Sequence, residues 1–467
     1  MLFNSFEYLL IFLPATLAIY FAITCRARSA TAKIWLVAAS LGFYSWWGWV
    51  YLPLIMCSIV VNYGAGTALC SKSLSQPVRR GILFGGIALN LALLGYFKYA
   101  NFVVDNLNGL SGTDIRLPSI ALPLAISFFT FQKIAYLVDS FRSETVGYNF
   151  IDYSLFVTFF PQLIAGPIVH HKDVVPQFAD KANLRPDDKN IATGLCILSI
   201  GLFKKVLISD SFAEYANLGF DSATTLNCLA AWVTSLSYTF QLYFDFSGYT
   251  DMAIGSALLF NIKLPMNFNS PYRSLDIQEF WRRWHITLSR FLRDYVYIPL
   301  GGNRRSETTT YLNLFLTFLI GGLWHGASWM FVIWGAMHGA AIVIHRLWSR
   351  YGVAMAGPLA WFLTFSFVNV TWIFFRARDM SSATRVLSGM TRVLDGSIGK
   401  LFEMQQRRAT LFLIFAFVIV LTAKTTISFC TEGDERVSVV SGAALAISLI
   451  AMSFATAGAS QFLYFNF

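Results

Sequence analysis

Long apolar runs, separated by short polar segments, fill the chain from one end to the other. Runs at about 6–24, 33–51, 53–70, 81–100, 117–138, 191–208, 226–246, 310–323, 328–346, 358–375, 409–423 and 437–457 are predicted to be helical spans. A helix of about 20 such residues crosses the ~30 Å hydrocarbon layer of a bilayer. Two further stretches, 151–169 and 280–300, are apolar but interrupted, and read as re-entrant segments. The expected fold class is therefore all-α: a polytopic membrane protein of about 11–13 transmembrane helices plus re-entrant segments. No soluble domain, repeat or low-complexity tract breaks this pattern, so residues 1–467 are expected to form a single membrane-embedded domain.

Composition agrees with the pattern. The 467 residues are 56% hydrophobic and 13% charged, where a soluble domain carries about a quarter charged residues. The net charge of +10 would point to nucleic acid in a soluble protein. In a membrane protein Lys and Arg collect in cytoplasmic loops beside anionic lipid, so the bilayer is the expected partner and nucleic acid is not. The six cysteines show no Cys-x-x-Cys spacing, and no metal site is expected.

Loop charge orients much of the chain. Lys72, Arg79 and Arg80 place 71–80 on the cytoplasmic side, whereas 101–114 has two Asp and no basic residue and reads as outside. The loop holding Asp210, Glu214 and Asp221 also lacks a basic residue. The first apolar run has its basic residues after it, at Arg26, Arg28 and Lys33. That order opposes a cleavable signal and predicts a retained first helix with a periplasmic N-terminus. One conflict stands: the span count puts 376–408 outside, although it carries Arg376, Arg378, Arg385, Arg392, Lys400, Arg407 and Arg408.

Three interrupted stretches hold the candidate chemistry, because irregular backbone at membrane depth survives only where protein or water satisfies it. The first is Phe159-Phe160-Pro161-Gln162-Leu163-Ile164-Ala165-Gly166-Pro167-Ile168, either a re-entrant turn or a kink, followed by His170 and His171. The second runs from Tyr243 to Leu300. It contains Asp245, whose carboxylate in an apolar run needs an ion-pair partner or a cavity, then Asn267 and Asn269 in a proline-bounded loop. It continues through Phe280-Trp281-Arg282-Arg283-Trp284-His285. On one helix, Trp281, His285, Leu288 and Leu292 would share an apolar stripe, leaving Arg282 and Arg283 to reach headgroups or an anionic ligand. The third is Gly321-Gly322-Leu323-Trp324-His325-Gly326, where a neutral imidazole can act as a general base or simply bond across packed helices. His338 and His345, seven residues apart, lack a matched pair for metal or haem; His338 is expected to pack near His325 instead.

Together these segments resemble the membrane-bound O-acyltransferase superfamily, in its bacterial branch of alginate O-acetylation membrane proteins. The resemblance rests on Phe160 to Pro167, on Asp245-Phe246-Ser247-Gly248-Tyr249-Thr250-Asp251 and on Asn267-Phe268-Asn269-Ser270-Pro271-Tyr272. Phe280 to His285, Gly322 to Gly326 and the aromatic tail Phe462-Leu463-Tyr464-Phe465-Asn466-Phe467 also match. It implies a ring of helices around a central tunnel in a bacterial inner membrane. It also implies that His325 and His285 are catalytic, with Arg282, Arg283, Trp324, Asn267, Asn269 and Asp245 as candidate donor- or substrate-binding residues.

No bound cofactor is implied. The implied donor is acetyl-CoA or an acyl carrier on the cytoplasmic side. The implied outcome is O-acetylation of an exported polysaccharide such as alginate, through a periplasmic esterase-like acetyltransferase and the export machinery. A proton-coupled transporter or flippase, and a non-enzymatic scaffold of an export complex, are the competing classes.

Overall fold

The computed structural model describes residues 1–26, 29–118, 120–145, 147–164, 166–221, 225–352, 354–392, 400–432, 436–454 and 462–463. Every regular element among them is helical. Six helices are long and apolar enough to cross a membrane: Glu7–Thr24, Trp49–Cys70, Gln76–Ser111, Asp188–Phe220, Trp329–Tyr351 and Gly357–Arg376. Arg407–Thr422 and Thr426–Glu432, bent by 58°, make a seventh if taken as one span. Other expected spans are helical but shorter, such as Ser29–Ser45 with 17 residues and Ile126–Phe141 with 16. The chain is a polytopic, multi-pass membrane protein.

Two compact units divide it. The first comprises Met1–Ser199, Tyr249–Pro265 and Glu435–Gly442. Its interior is aromatic, with Phe43, Phe12 and Tyr8 packed around Phe160. Buried side chains bond across it: Tyr8 Oη donates to Ser256 Oγ at 2.7 Å, and Asn90 Nδ2 to Asn62 Oδ1 at 2.7 Å. Such bonds tie helices together where lipid offers no alternative partner. The proline-rich stretch is a turn and not a kinked helix. Helix Phe150–Thr158 stops at Phe159, one further turn covers Phe160–Leu163, and the backbone folds back. A Cβ on Gly166 would lie 2.5 Å from Gln162 Cα, so the residue there must be glycine. Ala165 falls outside the described residues.

The second unit comprises Ile200–Gly248, Met266–Asp434 and Ala443–Phe467. A tight helical hairpin, Glu307–His325 and Trp329–Tyr351, is built into it. Ser306 and Ser328 cap its two N-termini by accepting from Thr309 N and Met330 N. Glycines set the spacing: a Cβ on Gly322 would meet Phe331 O at 2.4 Å, and one on Gly335 would meet Phe318 O at 2.6 Å. Small residues let the two backbones touch, and this contact fixes where His325 ends its helix.

Part of the basic segment is tied down by neighbouring residues. Arg376 and Arg378 pair with Asp221 at 2.9 and 3.1 Å, and Arg385 donates to Phe220 O at 2.7 Å. These arginines are therefore held against the C-terminal end of helix Asp210–Phe220 and the Asp221 that follows it. Residues 393–399 fall outside the described residues.

Gly335→Val should destabilise the folded protein by about 1–3 kcal/mol, since rigid backbone cannot yield to the added methyls. Thermal unfolding in detergent checks this, and an unchanged midpoint would contradict the close packing.

Candidate active site

His285 is placed by a break in its helix. The expected single stripe across 281–292 does not form: Ile277–Arg283 ends, His285 takes φ 42° and ψ 54°, and Ile286–Leu292 begins. A left-handed conformation is costly for a residue with a Cβ and persists only where surroundings enforce it. Asn267 supplies that enforcement. Its backbone carbonyl accepts from Ile286 N at 3.0 Å. Its side-chain Oδ1 takes Thr287 N at 3.2 Å and Thr287 Oγ1 at 2.9 Å. The same oxygen lies 3.0 Å from His285 Nδ1. An amide oxygen can only accept, so His285 carries its proton on Nδ1 and its lone pair on Nε2. The ring is fully buried, with Phe246 edge-on at 4.8 Å.

His325 lies in the last turn of its helix and is 3% exposed. Trp324 joins the two histidines, its ring centroid 5.0 Å from His325 and 6.3 Å from His285. Trp334 and Phe375 close the other sides of His325 at 5.0 and 5.1 Å. Both histidines thus sit in one apolar, aromatic pocket of the second unit.

His338 belongs to the wall of that pocket. Its ring lies tilted against Trp334, centroids 4.7 Å apart. Trp281 Nε1 donates to His338 Nδ1 at 3.2 Å, and His338 Nε2 pairs with Thr371 Oγ1 at 3.1 Å. Both ring nitrogens are used, so His338 holds Trp281 and Trp334 in place.

The other candidates separate into groups. Asp245 is buried in an ion pair with Lys205 at 2.7 Å, and Lys205 also reaches Asp210 at 2.8 Å. Asp245 Oδ2 further accepts from Leu463 N at 2.9 Å, while Phe462 packs on Phe246. Residues 464–467 of the aromatic tail fall outside the described residues. Arg283 pairs with Glu279 at 2.8 Å and donates to Asn269 O at 3.2 Å. Arg282 and Asn269 are exposed.

Lys205, Thr287 and Trp334 were not singled out by the sequence. Lys205 had a signal, a lysine inside an apolar run, where an ionisable group is expensive. Thr287 and Trp334 had none, being ordinary helix residues until the fold brings them to the histidines.

Residues 126–378 match the membrane-bound O-acyltransferase family. The chain is 51% identical over 420 residues to a peptidoglycan O-acetyltransferase of Helicobacter pylori, covering 84% of this chain and 80% of that protein. It is 43% identical over 398 residues to a probable alginate O-acetylase of Pseudomonas aeruginosa, covering 84% of this chain and 75% of that one. A teichoic acid D-alanyltransferase of Bacillus subtilis is 29% identical over 241 residues, 49% of this chain and 60% of that protein.

Asn267→Ala should lower turnover by about 10²-fold, because a misplaced reacting group costs that much. Asn267→Asp, which keeps an acceptor, should lose less, as read by steady-state rates at equal protein level. Lys205→Met should destabilise by about 3–5 kcal/mol by stranding a buried carboxylate. Adding Asp245→Asn should recover part of that loss in thermal unfolding.

Proposed function

The chain belongs to the membrane-bound O-acyltransferase family, and from that premise we propose that it carries acetyl groups through the membrane for an exported polysaccharide. It is an acyltransferase. The donor in this reading is acetyl-CoA or an acetylated carrier on the cytoplasmic side of a bacterial inner membrane. The acceptor is an alginate- or peptidoglycan-type glycan, reached directly or through a periplasmic esterase-like transferase. The names carried by the relatives support the acetyl group and the glycan.

The observation that carries the reading is the pairing of His285 and His325 about Trp324 within the matched segment. An acceptor hydroxyl held in this pocket gives its proton to an imidazole nitrogen as its oxygen attacks the thioester carbonyl. The C–S bond breaks, the thiolate takes up a proton, and an ester replaces the thioester. Asn267 keeps Nε2 of His285 as its basic nitrogen throughout. Aromatic walls exclude water, which limits hydrolysis of the thioester. Exposed Arg282 offers the charge that a donor phosphate would meet.

The test is transfer from radiolabelled acetyl-CoA by the protein in liposomes, with alginate, peptidoglycan fragments and a periplasmic transferase supplied in turn. His325→Ala should lower the rate by about 10²–10⁴-fold while leaving folding intact. Transfer by that variant at the wild-type rate would overturn the role of His325. No transfer by either folded protein would instead favour a transporter or a scaffold.

A further inference from the structure

A second group of titratable side chains lies wholly within the first unit. Asp139, on helix Ile126–Phe141, is buried. His170 and His171 follow the Pro161–Pro167 turn, and both direct Nε2 at Asp139 Oδ2, at 2.5 and 2.9 Å. The three ligand atoms lie within 4.8 Å of one another. Tyr148 Oη is 2.9 Å from His171 Nδ1, and Lys172 N donates to His170 Nδ1 at 3.2 Å. The two histidines stand out in the sequence, but Asp139, thirty-odd residues earlier, joins them only in the fold.

We propose that Asp139, His170 and His171 form a site for a divalent first-row transition ion, with zinc the best match. Two imidazoles and one carboxylate are a donor set that such ions take, with water completing the shell. The surroundings suit ligation. Tyr148 supplies the outer partner that ligating histidines use, accepting from Nδ1–H once Nε2 binds the ion. His170 likewise moves its proton from Nε2 to Nδ1 and gives up the long contact with Lys172 N. Neutral imidazoles and an ionised carboxylate are the ligating forms, so protons compete with the ion for the site. The His170 side chain is 14% exposed, so the cluster has a path for the ion.

The experiment measures metal content of the full chain, purified in detergent by a tag without histidine, stripped with chelator and reloaded with zinc. Wild type should retain about one zinc per chain after desalting, and His170→Ala and Asp139→Asn roughly tenfold less. His345→Ala, a partly exposed histidine elsewhere, should match wild type. Cobalt in place of zinc should give visible absorption bands that the His170 variant lacks. If Asp139→Asn does not fold, His170→Ala carries the test, being at the accessible edge of the cluster. Wild type that retains no stoichiometric zinc, cobalt, manganese or iron would overturn the proposal. So would folded variants that hold as much metal as wild type. Either result would reduce the cluster to a hydrogen-bonded tie between turn and helix.

Discussion

Backbone amides at membrane depth have no water to fall back on, so each departure from helical conformation must be repaired by the protein itself. Asn267 makes the most consequential repair. One side chain and its own carbonyl satisfy the start of Ile286–Leu292 and hold His285 in a left-handed conformation. The same Oδ1 fixes the imidazole tautomer. A break in a helix and a defined basic nitrogen are thus products of one set of hydrogen bonds. An uninterrupted helix would have left His285 as one more residue on an apolar stripe.

The second requirement is that charge in such surroundings be paired. Lys205 answers it for Asp245 and Asp210. A π-helical segment, Lys204–Ser209, interrupts the helical run there and carries Lys205. Bulges of this kind recur at functional sites because they re-aim one side chain without ending the helix. Asp245 also binds the backbone at Leu463, so the pair anchors a piece of the chain more than two hundred residues away in sequence. Its place is structural support beside Phe246, which in turn bears on His285.

The aromatic walls do a different job. Trp324, Trp334 and Phe375 surround His325 with ring edges and faces, and His338 spends both nitrogens on holding that wall. Two histidines of the same unit therefore have opposite characters. His338 is held by Trp281 and Thr371, whereas His285 takes its orientation and tautomer from Asn267. An imidazole's role depends on which partners the fold gives it, not on its burial, since both are fully buried.

Hydrophobic run length alone determined the all-helical membrane class, because crossing hydrocarbon imposes about 20 apolar residues regardless of how helices later pack. The ordered motifs around His285 and His325 identified the family, whereas the close helix approach at Gly322 and Gly335 emerged from the fold. Tertiary structure alone decided the rest. Helical periodicity assumed a continuous helix through His285, since nothing local in Trp284-His285-Ile286 announces a break; the cause is Asn267, eighteen residues earlier. Likewise Arg376 and Arg385 meet Asp221 and Phe220 only in the folded chain. Asp139 met His170 and His171 only through the turn at Gly166. Periodicity and composition are local quantities, and these contacts join residues far apart in the chain, so only the folded chain could settle them.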